Sequence, residues 1–265
     1  MIQLGFNTVL FKEFSFREAA QAAADSGYDG VEISAIKGMC EHLDPENWRA
    51  QEQDIKAALS ETGMKILSSE VASQDPDRLR KAFEAANALQ IPVINIGPGG
   101  SSDVPEDLQK SIDILQSLAE IAEGYGVTLC TKAHVGAAIW NTPTTLAAME
   151  GVTSPAFGID MDPSHIYRAG ENPAEALPAV ISRVKHVHIR DCKGRQQNPG
   201  LPPMQACGRG DIDLWGYFKA LTDARYDGPV SLEVIGPAQT YAGACIIAAE
   251  SYGYMNAILK SLGAR

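Results

Sequence analysis

The 265-residue chain has few cysteines, a deficit of basic charge and no long apolar run. Its five cysteines (Cys40, Cys130, Cys192, Cys207 and Cys245) are odd in number, lie far apart and form no Cys-x-x-Cys pair. That argues against a disulfide framework and a structural zinc knuckle, and ordinary reduced thiols are expected. Twenty-two basic against 33 acidic residues leave a formal charge of -11. Such a balance repels phosphate backbones and anionic lipid, so neither nucleic-acid nor membrane binding is expected. No apolar stretch approaches the ~20 residues that span a bilayer, and Met1 to Gly5 lack the charged start of a signal peptide, so a soluble, cytoplasmic protein is expected. No Gly-x-Gly-x-x-Gly follows the first strand candidate, and no linker or low-complexity segment divides the chain.

What the chain does have is alternation. Apolar, β-branched runs at residues 2 to 7, 30 to 34, 64 to 69, 92 to 97, 127 to 132, 156 to 161, 184 to 189 and 229 to 234 read as strands. Amphipathic stretches near 16 to 26, 46 to 62, 76 to 90, 105 to 124, 143 to 150, 173 to 182, 214 to 225 and 241 to 262 read as helices. Ser15, Asp75, Asn141 and Asp213 stand where N-caps belong, and Gly27, Gly63, Gly126 and Gly151 where helices should stop. Eight strand-helix units in a chain near ~250 residues predict an α/β fold, a single (β/α)₈ TIM barrel occupying residues 1–265 as one domain.

In such a barrel, chemistry belongs at the C-terminal strand ends. Those ends carry Asn7, Glu32, Glu70, Asn95, Lys132 with His134, Asp160 and Asp162 with His165, His188 with Asp191, and Glu233. Four of the five histidines fall in or just after the fifth to seventh strands, a concentration that a solvated surface does not require. His186 and His188 alternate onto one face, and a carboxylate such as Asp191 would fix the tautomer of a metal-bound imidazole. Glu233 sits in an otherwise apolar strand, where burial demands a cation or donors. Asp162, His188 and Glu233 thus read as a ligand trio for Mn²⁺, Mg²⁺, Co²⁺, Fe²⁺ or Zn²⁺. Taken singly, each has a plainer reading: an Asp-Pro turn cap, a hydrogen-bonded core histidine, a satisfied buried glutamate.

These residues resemble the xylose isomerase-like barrel superfamily, the sugar phosphate isomerase/epimerase group with relatives of endonuclease IV. The likeness runs through Gly27-Tyr28-Asp29-Gly30-Val31-Glu32, Asp162-Pro163-Ser164-His165, His186-Val187-His188-Ile189-Arg190-Asp191, Gly208-Arg209-Gly210-Asp211-Ile212-Asp213 and Ser231-Leu232-Glu233. It implies a metal held by Asp162, His188 and Glu233, with His165 facing substrate. The family's fourth ligand is a glutamate in a fifth-strand Glu-x-His motif, and here that motif is Lys132-Ala133-His134. The DNA-repair branch fits poorly, because Glu70 and Asn95 stand where its additional histidines would be.

An ammonium beside a divalent ion is unfavourable by about 4 kcal/mol per charge product at 4 Å and an effective dielectric of 20. Three readings of Lys132 follow: a metal remains and Lys132, its pKa depressed, is a base or oxyanion donor; Lys132 is itself the cation, paired with Glu233 and Asp162; or the barrel only binds a ligand. Expected substrate contacts come from Glu70, His134, Arg190 and Arg209, with Trp140 as a flat wall for a sugar face. Gly97 to Ser102 offers an anion nest and Gln196 to Pro203 a lid loop. The expected activity is isomerisation or epimerisation of a carbohydrate-like small molecule through proton transfer beside a carbonyl, with Glu233, Lys132 and His165 catalytic. A divalent metal is expected to assist, with a metal-free site as the alternative. A lyase or dehydratase using the same enolate, and a non-catalytic carbohydrate-binding barrel, are the rival readings. A homo-oligomer is compatible with the long C-terminal helix.

Overall fold

A computed structural model describes residues 1–196 and 198–265; the lid reading of Gln196 to Pro203 includes Gln197, which lies outside the described residues. Eight parallel strands follow in order: β1 (Gln3–Asn7), β2 (Gly30–Ile36), β3 (Ile66–Glu70), β4 (Val93–Ile96), β5 (Thr128–Lys132), β6 (Phe157–Asp160), β7 (Val184–Ile189) and β8 (Pro229–Leu232). Each pairs with its predecessor, and β8 returns to β1, with Gln3 to Phe6 beside Pro229 to Leu232. The sheet is closed. The chain is a single (β/α)₈ TIM barrel, as the alternation predicts.

Helices α1 (Phe16–Ser26), α2 (Trp48–Thr62), α3 (Pro76–Leu89), α4 (Pro105–Gly124) and α5 (Thr142–Gly151) follow the first five strands. Beyond β6 come α6 (Pro163–Arg168) and α7 (Pro173–Val180), then α8 (Leu214–Asp223) after β7 and α9 (Tyr241–Ser261) after β8. The caps explain the starts: Ser15 and Glu18 form a capping box, and Asp75, Asn141 and Asp213 each accept a first-turn amide. Gly151 ends α5 for a different reason from the left-handed Gly27 and Gly63. A Cβ there would lie 2.5 Å from Ile112 Cγ2, so this glycine lets α5 close on α4. Two elements depart from the periodicity. Asp162-Pro163 opens a short helix, α6, rather than a loop turn, because Asp162 accepts the Ser164 amide and Pro163 is pre-set for a first helical position. Cys40–Glu41 adds a two-residue antiparallel strand to the end of β2.

Two register shifts position the site. The β2–β3 pairing slips between Val31 and Glu32, and the β6–β7 pairing between Ile159 and Asp160. Such irregularities re-aim side chains, and both carboxylates, Glu32 and Asp160, are fully buried and reach His188. The β2–β3 approach is also close: a Cβ on Gly30 would lie 2.5 Å from the Lys65 carbonyl oxygen, a backbone atom that cannot swing away. Gly30→Ala is therefore expected to destabilise by about 2 kcal/mol through overpacking. That corresponds to a melting temperature roughly 6 °C lower by calorimetry, and an unchanged melting temperature would contradict the tight approach.

Candidate functional site

At the C-terminal end of the barrel a cavity of about 970 Å³ is lined by Glu70, Lys132, His165, Arg190 and Glu233, with Arg168 and His134 beside them. Backbone from Gly97 to Gly99 forms one wall, and Asn198 to Leu201 another.

Lys132 is the centre of the constellation. Its Nζ donates to Glu233 Oε1 at 2.8 Å and lies 3.5 Å from Glu70 Oε1 and 3.3 Å from His188 Nδ1. Burial alone would favour a neutral amine, but Glu233 and Glu70 outweigh it and raise the pKa. The depressed pKa expected from the sequence is thus reversed, because two carboxylates from β3 and the end of β8 converge on the ammonium. Its partners are Glu233 and Glu70, rather than Glu233 and Asp162.

The two glutamates are pushed in opposite directions. Burial and the charge of Glu233 raise Glu70 to about 8, so at neutral pH it mostly carries a proton. Asn7 Nδ2 donates to its other oxygen at 2.7 Å. Burial raises Glu233 as well, but Lys132, His188 and Arg190 more than reverse this and hold it well below the usual carboxylate range. Glu233 Oε2 accepts no hydrogen bond among the described residues, although Arg190 Nη1 lies 3.0 Å away. One carboxyl is charged and its neighbour protonated.

Arg190 ties the rim together. It donates to Ser164 Oγ at 2.9 Å, lies 2.8 Å from His165 Nε2, and pairs with Asp162 at 3.3 Å. His165 is buried at the start of α6, with the Val135 amide donating to Nδ1 and Arg168 Nη2 3.0 Å from that atom. Burial and then the charge of Arg190 push its pKa well below the ordinary value, so it is a neutral imidazole. His134 is exposed at the rim, its ring 4.2 Å from that of His165.

Beneath this layer lies a closed polar network. His188 donates from Nδ1 to Asp160 and from Nε2 to Glu32, and its pKa rises well above the usual range: burial opposes the charge, but these two carboxylates overcome it. His186 reaches Asp160 at 2.9 Å and Ser68 Oγ at 2.9 Å, while Asn95 donates to Glu32 at 2.6 Å. Asp160, rather than Asp191, therefore orients His188. Asp191 instead accepts the amides of Cys192, Gly208 and Ile212 and shapes the loop after β7.

Several residues singled out from the sequence stand elsewhere. Asp162 is not within one ligand sphere with His188 and Glu233; it caps α6 and pairs with Arg190. Arg209 turns outwards to Glu250 on α9 and the Pro203 carbonyl, and Trp140 lines a separate hollow with Val104 and Pro143. In the glycine-rich loop after β4, the Ser101 amide is already taken by Asp107. Arg168 went unnoticed in the sequence, because it lies on the short helix the periodicity did not show.

Among the described residues, the ligand atoms of Glu70, His188 and Glu233 lie within 4.8 Å of one another, a spacing that could hold a metal ion. As arranged, however, the donors do not fit one: Lys132 stands among them and both nitrogens of His188 are engaged by carboxylates.

The family model for the xylose isomerase-like TIM barrel matches residues 20–249. The chain belongs to that family. Inosose dehydratase of Clostridium perfringens (strain 13 / Type A) is 24% identical over 259 residues, covering 84% of this chain and 84% of that protein. A D-tagatose 3-epimerase-like protein superposes with a TM-score of 0.78 at 21% identity, covering 98% of each chain. The D-allulose 3-epimerase from Methylomonas sp., solved with D-allulose, gives 0.75 at 20% identity over 97% of this chain and 96% of that one. All five cysteines are free, and no described helix is long and apolar enough to cross a membrane.

Proposed function

We propose that the chain is an enzyme that moves a proton at the carbon beside the carbonyl of a small, polyhydroxylated, carbohydrate-like substrate, interconverting epimers or isomers. The observation that best supports this is the pair of carboxyls with opposite protonation, Glu233 ionised and Glu70 protonated, on either side of the Lys132 ammonium. Groups whose environments push their pKa values apart are what an acid/base pair requires.

Glu233 takes the proton as the carbon–hydrogen bond breaks, and the electron pair forms the enolate. The negative charge passes from Glu233 to the substrate oxygen, and Lys132 with Arg190 keeps an anion to stabilise throughout. Glu70 returns a proton to the opposite face, giving the epimer, or to the former carbonyl carbon while the proton of the adjacent hydroxyl passes to the enolate oxygen, giving the isomer. Solvent restores the starting protonation. His165, neutral and held by Arg190, positions a substrate hydroxyl.

The inosose dehydratase relatives favour a second reading, in which the same enolate expels a neighbouring hydroxyl as water with the proton from Glu70. Incubation with a panel of ketoses and inososes, followed by chromatography and ultraviolet absorbance, separates the two. An epimer or isomer supports the first reading, and a conjugated enone the second. Ligand-induced thermal stabilisation with no product from any member would contradict both and leave a carbohydrate-binding barrel.

A further inference from the structure

We infer that the ammonium of Lys132 takes the place of a divalent metal ion, so that this site is built to work without one. Three observations carry it.

First, Lys132 stands where an ion would have to stand. Glu70, His188 and Glu233 are the buried donors that converge around its Nζ, which lies 3.5, 3.3 and 2.8 Å from them in turn. Second, the donors are already committed. A metal-bound imidazole needs a lone pair, and each nitrogen of His188 is hydrogen-bonded to a carboxylate, Asp160 on one side and Glu32 on the other. Asp162 accepts from the Ser164 amide and hydroxyl and pairs with Arg190. Third, Arg190 brings a second fixed cation to Glu233. A divalent ion would face an ammonium and a guanidinium at close range in a buried site, where repulsion is screened least.

Two other acidic or mixed clusters carry no such inference. Glu32, His186 and His188 satisfy one another with Asp160, Asn95 and Ser68, and in the surface group of Glu41, Asp44 and Glu46 both glutamates are paired with Arg78.

The inference does not depend on which substrate the cavity takes, and its test reads binding rather than turnover. Untagged full-length protein, freed of ions by a chelator that is then removed, is titrated with Mn²⁺ alone, and the free-ion electron paramagnetic resonance signal is followed. The same titration is made on Lys132→Glu, which supplies a fourth donor group, an oxygen, and on Lys132→Gln, which removes the charge only. The unmodified protein is expected to bind Mn²⁺ at least about 100-fold more weakly than Lys132→Glu, with Lys132→Gln between them. Circular dichroism confirms that each variant is folded. Should Lys132→Glu fail to fold, tighter binding by Lys132→Gln than by the unmodified protein supports the inference, and equal binding overturns it. One tightly held ion per unmodified chain overturns it. So does a folded Lys132→Glu that binds no better than the unmodified protein, since Lys132 would then not be what keeps the ion out. A protein that binds Mn²⁺ tightly and still forms an epimer would sink this inference alone, leaving the proposed reaction in place.

Discussion

Glu233→Gln is expected to lower turnover about 1,000-fold on any substrate the protein converts, with little change in KM. The substitution keeps the shape of the side chain and its contact with Lys132 but removes the charge and the basicity needed to accept the proton. It also acts on Glu70, whose raised pKa owes much to the charge of Glu233. Without that charge Glu70 ionises more readily and replaces Glu233 as counter-ion to Lys132. One substitution thus removes the base and disarms the acid. Steady-state kinetics with an identified substrate checks this, and a loss of less than tenfold would move the base elsewhere in the cavity.

The second large effect is on stability. Asp160→Asn is expected to destabilise the fold by about 3 kcal/mol at neutral pH, within the range for breaking a buried charge pair. Asp160 is fully buried and holds both His186 and His188, and burial, which would raise its pKa, is overridden by those two imidazoles, so the pKa is lowered. A group depressed in this way contributes stability above its unfolded value, and the contribution is lost as pH falls below it. The gap between the unmodified protein and the variant should therefore be full at pH 7 and narrow below about pH 4. Urea unfolding at both pH values measures it. An equal gap at both would mean that the carboxylate charge is not what holds the histidines.

How far the sequence reaches is clear from particular residues. The eight strands were legible because burial on both faces leaves apolar, β-branched runs, and the strand-end residues because a barrel converges them. β7 runs from Val184 to Ile189, as its sequence predicts, and α1, α4 and α9 fall within one residue of the periodicity. The short α6 was not legible, since six residues opened by Asp-Pro read equally as a turn. Lys132, His165, Arg190 and Glu233 all reach the cavity, but their protonation was hidden. The charge of Lys132 depends on Glu70 and Glu233, which are distant in the chain and adjacent only once the barrel closes. The clamp on His188 depends on carboxylates set beside register shifts in two strand pairs, which periodicity does not encode. Arg209 sat in a promising loop, yet its direction was decided by Glu250 on a helix forty-one positions later. Sequence pattern locates a residue on an element; long-range partners decide its charge and aim.

The most direct measurement is solvent-deuterium incorporation by the unmodified protein and Glu233→Gln, with the ketose and inosose panel in heavy water and a chelator present, followed by proton magnetic resonance. The expected result is deuterium at the carbon beside the carbonyl of at least one substrate with the unmodified protein, and about 1,000-fold slower incorporation with the variant. Product formation without deuterium at that carbon, or equal incorporation by Glu233→Gln, would contradict proton abstraction by Glu233.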